Sequence, residues 1–360
     1  MLRLGVAPSI ENHKTVAHGG IYSAGLGFDP KILDFSSNVN PLGFPPAIKN
    51  ELKKNLALFS IYPDSDSAKL RNDLERYTGI PKDRIIVGNG ATEIIYNFCK
   101  AFLGKRNALI PIPTFGEYES AARLGGAKVS YFKTMNLNEN IDNFVETISK
   151  NQCVFVCNPN NPTGTLTTQK NMLKILAASR DNSSLVFADE CFIELASNPK
   201  ESIVSKLHSF DNLFVLRSMT KSFGLAGLRV GYGLGSKKMI EILNRIKIPW
   251  NVSGIAQEIA TKALSSRLHL EKTRNLIKKE RKFLKDSISK INGFQCYDSD
   301  SNFILIKSKM RSGQLQKKLL KKNILVRDCS SFEGLGDKFI RIAVRTHSEN
   351  QRLVKELKKA

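Results

Sequence analysis

The sequence has no Cys-x-x-Cys pair, no histidines at metal-ligand spacing, no run of 18 apolar residues and no repeat of fixed period. Each absence removes a class of protein. The six cysteines (Cys99, Cys153, Cys157, Cys191, Cys296 and Cys329) are scattered among expected strands and helices, as reduced core thiols in a reducing compartment would be. With only five dispersed histidines, no structural metal is expected. The missing apolar run excludes a helical membrane span, and residues 1–10 lack the continuous apolar core of a signal peptide. A soluble, cytoplasmic protein with no membrane partner is therefore expected. No low-complexity stretch suggests disorder, and an apolar content of 41% over 360 residues suffices to bury a large core.

Acidic residues are also scarce. The chain carries 33 Asp and Glu against 55 Lys and Arg, a net charge of +22. Residues 306–323 contain Lys307, Lys309, Arg311, Lys317, Lys318, Lys321 and Lys322 and no acidic residue. Such a surface attracts polyanions. Yet its basic residues fall on amphipathic helices without interleaved aromatics, and no nucleic-acid-binding signature is present. A solvated basic face that steers anionic substrates is expected, rather than a nucleic-acid partner.

The middle of the chain alternates short apolar runs with helical patterns, the mark of a mainly parallel sheet flanked by helices. Expected strands lie at 84–87, 107–112, 128–132, 153–157, 184–188, 213–217 and 229–234, with helices at 91–103, 167–180 and 237–246 among them. After Pro249 and Trp250 the pattern changes. A long charged amphipathic helix is expected over about 256–291, with or without a break, then strands at 302–307, 324–327 and 339–344. A last helix begins at Ser348, where Ser348 and Gln351 could form a capping box. The expected organisation is an N-terminal arm (1–45) joining a smaller α+β domain (253–360), with a large α/β domain (46–252) between them.

Four turns carry the chemistry. Gly88-Asn89-Gly90-Ala91-Thr92-Glu93 stands between a strand and a helix, where first-turn amides can hold a phosphate. Asn158 to Gly164 contains two prolines and three asparagines, whose amides both donate and accept. Asp189 and Glu190 emerge from a buried strand, where a carboxylate needs a cationic or hydrogen-bonding partner. Finally, Lys221 follows a strand end, three residues after Ser218 and eight before Arg229. Small and apolar neighbours would desolvate its amine and make it nucleophilic. Taken singly, each turn could equally be a structural turn, a helix cap or a solvated lysine.

As a set, in this order and spacing, the turns resemble the fold-type I pyridoxal-phosphate (PLP) enzymes of the aspartate aminotransferase superfamily, over nearly the whole chain. The resemblance implies that PLP forms a Schiff base with Lys221 and that Asp189 pairs with its pyridine nitrogen. It implies that Asn161 faces the ring's phenolic oxygen, that Phe115 stacks on the ring, and that Gly90, Ala91, Thr92, Ser218 and Arg229 cradle the cofactor phosphate. Tyr62, in Tyr62-Pro63-Asp64, matches a tyrosine that reaches the neighbouring subunit's cofactor, so a homodimer with shared active sites is implied. Where many relatives carry a tyrosine three residues after the aspartate, this chain has Phe192.

The branch this chain resembles contains histidinol-phosphate aminotransferases and threonine-phosphate decarboxylases of cobalamin synthesis. Ala17-His18-Gly19-Gly20, the segment 33–43, Phe192, the segment 249–253 and the strands at 324–329 and 341–345 are similar to the decarboxylases. Ile21 departs from their usual His-Gly-Gly-Asn. The resemblance implies a phosphorylated amino-acid substrate gripped by His18, Asn38, Arg327 and Arg341, and a PLP-dependent decarboxylation. A PLP-dependent aminotransferase is the alternative.

Overall fold

Apolar runs as continuous as 153–157 and 213–216, rich in β-branched and aromatic residues, suit strands covered on both faces. In the computed structural model, which describes residues 15–360, they lie at the middle of the larger sheet. Counting along the chain, β1 is Leu33–Asp34. The next seven are β2 (Ile85–Asn89), β3 (Asn107–Ile112), β4 (Val129–Lys133), β5 (Gln152–Cys157), β6 (Leu185–Asp189), β7 (Leu213–Ser218) and β8 (Val230–Leu234). They form one sheet in the order β2-β8-β7-β6-β5-β3-β4. The contacts among β4, β3, β5, β6 and β7 are parallel, while β8 runs antiparallel to both β7 and β2.

Alternation sends neighbouring residues to opposite faces. Val154, Val156, Val186, Ala188, Leu213 and Val215 enter one core, and Phe155, Phe187, Phe214 and Leu216 the other. Helices α1 (Gly90–Phe102) and α2 (Glu117–Leu124) follow β2 and β3. Because β2, β5, β6 and β7 share a direction and β8 opposes them, their C-terminal ends and the start of β8 meet at one edge of the sheet. In open α/β sheets that edge is where ligands bind.

The chain then forms helices α3 (Gly254–Leu264) and α4 (Arg267–Ile288), so the long amphipathic segment is broken at Ser265 and Ser266. Strands β9 (Phe294–Cys296), β10 (Phe303–Ser308), β12 (Arg327–Asp328) and β13 (Phe339–Ala343) make a four-stranded sheet in the order β12-β13-β10-β9. The strand expected at 324–327 is split: β11 (Ile324–Leu325) leaves that sheet and pairs in parallel with β1. Phe35, just after β1, is buried in the core of this C-terminal unit. The first fourteen residues of the arm lie outside those described.

The last helix, His347–Leu357, is capped by Thr346 and Glu349 rather than by Ser348 and Gln351. The Glu349 carboxylate accepts from the Thr346 amide at 3.0 Å and also pairs with Arg345 at 2.6 Å, a charged network that a neutral Gln351 amide cannot match.

Candidate active site

At the shared strand edge, a cavity of about 310 Å³ opens between the larger sheet and the C-terminal unit. Ala91, Thr92, Phe115, Asn161, Asp189, Ser218, Lys221 and Arg229 reach it from the first unit, Arg327 and Arg341 from the second, and His18 and Asn38 from the N-terminal segment. Gly90 and Tyr62 are absent from its lining. Gly90 stands just behind, at φ +77°, where a Cβ would meet the Arg229 guanidinium at 2.3 Å. Tyr62 is 81% exposed, with its ring 5.1 Å from that of Trp250. Ile21 does not line the cavity either.

Asp189 ends β6 and is buried. Burial raises its carboxyl above the ordinary range, opposed by donors at both oxygens. The Tyr118 hydroxyl donates to Oδ2 at 2.6 Å and the Cys191 amide to Oδ1 at 2.8 Å. Tyr118 itself is held from α2 by stacking on Phe155, ring centroids 5.6 Å apart. Glu190 points away from the cavity and pairs with the buried Arg217 at 2.7 Å. Of two adjacent carboxylates, only Asp189 therefore serves the cavity.

Lys221 lies on the short helix Met219–Ser222, which Ser218 caps. Its ammonium is pushed down to about 8, first by burial and then by the nearby cations Arg341 and Arg229. The amine lies 5.7 Å from the centre of the Phe192 ring, which packs on Phe303 at 5.1 Å.

Arg327 and Arg341 stand directly opposite each other on β12 and β13. Both are buried, and burial lowers both, Arg341 to about 10 with Arg327 adding to the shift. Among the described residues, neither forms an ion pair with a carboxylate. Arg341 donates to Asn161 Oδ1 and to the Ser36 carbonyl at 2.7 Å. Arg327 donates to the carbonyls of Ala17 and His18 and to Ser331. Like charges facing each other across strands are destabilising, so this pair suits an anion. Two polar atoms in the same cavity wall, Arg341 Nε and Asn38 Oδ1, are buried with no hydrogen-bond partner among the described residues.

The residues present fit PLP. A buried carboxylate, a lysine of lowered basicity, an asparagine and a cation beside the first turn of α1 answer its pyridinium, aldehyde, phenolic oxygen and phosphate in turn.

The comparisons with known proteins agree. Residues 30–357 match the family described as aminotransferase class I and II. The chain belongs to this family. PLP is the family's cofactor, and its members are enzymes. A histidinol-phosphate aminotransferase of Methanococcus aeolicus is 34% identical over 91% of this chain and 90% of its own length. A protein of Caldanaerobacter subterraneus subsp. tengcongensis, provisionally named threonine-phosphate decarboxylase, is 36% identical over 97% of this chain and 95% of its own. Among solved structures, the L-threonine-O-3-phosphate decarboxylase of Porphyromonas gingivalis superposes with a TM-score of 0.82. It is 27% identical, covering 90% of this chain and 98% of its own. Further relatives of similar identity carry the aminotransferase name. Among the described residues, no helix is long and apolar enough to cross a membrane, and no cluster of potential metal ligands occurs.

Sequence reasoning did not single out Tyr118 or Glu117 as site residues. Tyr118 lies three positions after Phe115, on one turn of chain, and that spacing was the available signal. Glu117, which meets His18 Nε2 at 2.7 Å, had none.

Proposed function

We propose that the chain is a PLP-dependent decarboxylase of a phosphorylated amino acid, converting threonine O-3-phosphate to CO₂ and 1-amino-2-propanol O-2-phosphate, a reaction of cobalamin synthesis. The observation that carries this is the cross-strand pair Arg327 and Arg341, buried in the cavity wall with no carboxylate partner among the described residues. Two guanidinium forks, with His18 and Asn38 beside them, match the geometry and charge of a phosphate monoester. The decarboxylase-named relative supports the reading, since it aligns over 97% of the chain, N-terminal segment included.

When bound, PLP supplies an electron sink for the electron pair left at the substrate's Cα. The protein's task is to hold the substrate so that one particular Cα bond breaks. With the arginines holding the side-chain phosphate, the α-carboxylate is left without a strong cationic partner and departs as CO₂. Lys221, below its usual basicity, is the group placed to return a proton to Cα. Asp189, kept in place by Tyr118 and the Cys191 amide, is the carboxylate available to a pyridinium nitrogen. Ala91, Thr92, Ser218 and Arg229 are the donors for the cofactor phosphate, and Phe115 offers its ring as a stacking face.

A second reading has its own support. Arg341 donates to Asn161, the residue implied beside the ring's phenolic oxygen. A guanidinium there could hold the α-carboxylate instead, leaving the Cα proton as the group removed, as in an aminotransferase. Product analysis separates the two. Threonine O-3-phosphate should give one CO₂ per amine formed, and unphosphorylated threonine should react far more slowly. Transfer of an amino group from histidinol phosphate to 2-oxoglutarate, with no CO₂ from threonine O-3-phosphate, would establish the aminotransferase.

A further inference from the structure

Val16, Ala17, His18 and Gly19 form part of the cavity wall, although residues 15–19 have no regular secondary structure. Long-range contacts hold them there. Arg327 donates to the carbonyls of Ala17 at 2.6 Å and His18 at 2.7 Å, and the Gly20 amide donates to Ser36 Oγ at 2.7 Å. A Cβ on Gly19 would stand 2.4 Å from the Ser36 carbonyl oxygen, and one on Gly116 would stand 3.0 Å from Val16. At Gly19 the segment is therefore docked at a distance that leaves no room for a side chain. A further tie runs between Glu117 Oε1 and His18 Nε2 at 2.7 Å.

Glu117 is an unusual residue for its position. It sits in the first turn of α2 and is only 5% exposed. Its Oε2 accepts from the Tyr96 hydroxyl at 2.5 Å. A carboxylate withdrawn from water is costly unless donors meet it. One partner at Oε1, His18, comes from a distant part of the chain, on a side chain that is itself 45% exposed. Arg327, meanwhile, is wanted twice, by the carbonyls of the segment and by any anion in the cavity. An arriving anion would draw the guanidinium away from the Ala17 and His18 carbonyls, and the contact of Glu117 with the imidazole would still hold the segment.

We propose that Glu117 is a positioning residue, latching residues 16–20 against the cavity through His18 and so setting how readily an anionic substrate enters and is held. The proposal rests on the reading of His18 as a substrate contact, but its first test needs no turnover. Hydrogen exchange is followed in the PLP-loaded, full-length chain without substrate. Glu117→Gln is expected to speed exchange about tenfold in the peptide spanning residues 16–24, while peptides from α1 and β6 keep wild-type rates. His18→Gln leaves α2 untouched and should give the same acceleration, and the double variant should be no faster than either single one. If Glu117→Gln does not fold, His18→Gln decides alone. In steady state, Glu117→Gln should raise KM for threonine O-3-phosphate more than it lowers kcat. Failure of that compound to react at all would sink the proposed reaction and leave the exchange result to judge the latch. Unchanged exchange over residues 16–24, or acceleration spread equally through α2, overturns the proposal.

Discussion

Two buried acid–base groups face the cavity, Asp189 with its carboxyl raised and Lys221 with its ammonium lowered. Burial is the leading cause for both. For Lys221 the consequence is a reactive amine nearer neutral pH. Capture of PLP by the cofactor-free protein should rise with pH through a midpoint near 8, well below the usual lysine value. Arg341→Gln should move that midpoint upward only part of the way, since the arginine is the second cause and burial the first. Stopped-flow absorbance at a series of pH values measures both. A midpoint near that of free lysine would contradict the account.

The Tyr118 hydroxyl opposes the rise in Asp189, so its loss has a pH signature. Tyr118→Phe should cost about 1–3 kcal/mol of stability at neutral pH, because a buried carboxylate loses a donor. A carboxyl whose folded-state value is raised binds extra protons when folded, so its penalty is relieved as pH falls towards the unfolded value. The deficit of the variant should therefore shrink between pH 7 and pH 4 in thermal or denaturant unfolding of the cofactor-free protein. A deficit independent of pH would mean that the hydroxyl matters to packing alone.

At the scale of elements, the cavity depends on the close approach of β8 to the first turn of α1. A Cβ added at Gly231 would stand 2.5 Å from the Ala91 amide nitrogen, a backbone atom that cannot swing aside. Gly231→Ala should push α1 off the sheet, weaken PLP binding at least tenfold by fluorescence titration, and cost about 1–3 kcal/mol through overpacking.

The same scale explains what was legible in the sequence. The short apolar runs located β2 to β8 within a residue or two: the central strands are buried on both faces and leave little polar interruption to misread, while the largely exposed edge strand β4 still carries Val129, Tyr131 and Phe132. The turns after β2, β5, β6 and β7 could be listed from their glycines, asparagines and carboxylates, and the sheet directions bring them to one edge. Three features were not legible. The split at Val326 depends on β1, nearly 300 residues away in sequence, drawing Ile324 and Leu325 into a second sheet. The Thr346 cap depends on Glu349 being shared with Arg345. The partnerships of Tyr118 with Asp189 and of Glu117 with His18 are tertiary: the spacing of Tyr118 from Phe115 could place it near the site but could not name its partner, and Glu117 had no local signal.

For the whole molecule, Tyr62 is the informative residue. Together with Phe59, Ile61, Ile248 and Trp250 it forms part of an exposed apolar set, and it does not reach the cavity of its own chain. Exposed apolar patches of this kind mark interfaces. We propose a homodimer in which Tyr62 completes the partner's site. Mixing Lys221→Ala chains with Tyr62→Ala chains should then restore about a quarter of wild-type activity, since about half the dimers are hybrid and each holds one intact site. Hybrid dimers without activity would contradict shared sites.

The central claim is that the cavity is built around Lys221 as the residue that carries PLP. Borohydride reduction of the loaded protein, followed by proteolysis and mass spectrometry, tests it most directly. The account predicts a single pyridoxyl label, on the peptide containing Lys221, and none in a folded Lys221→Ala variant. A label on any other lysine, or undiminished labelling of that variant, would contradict it.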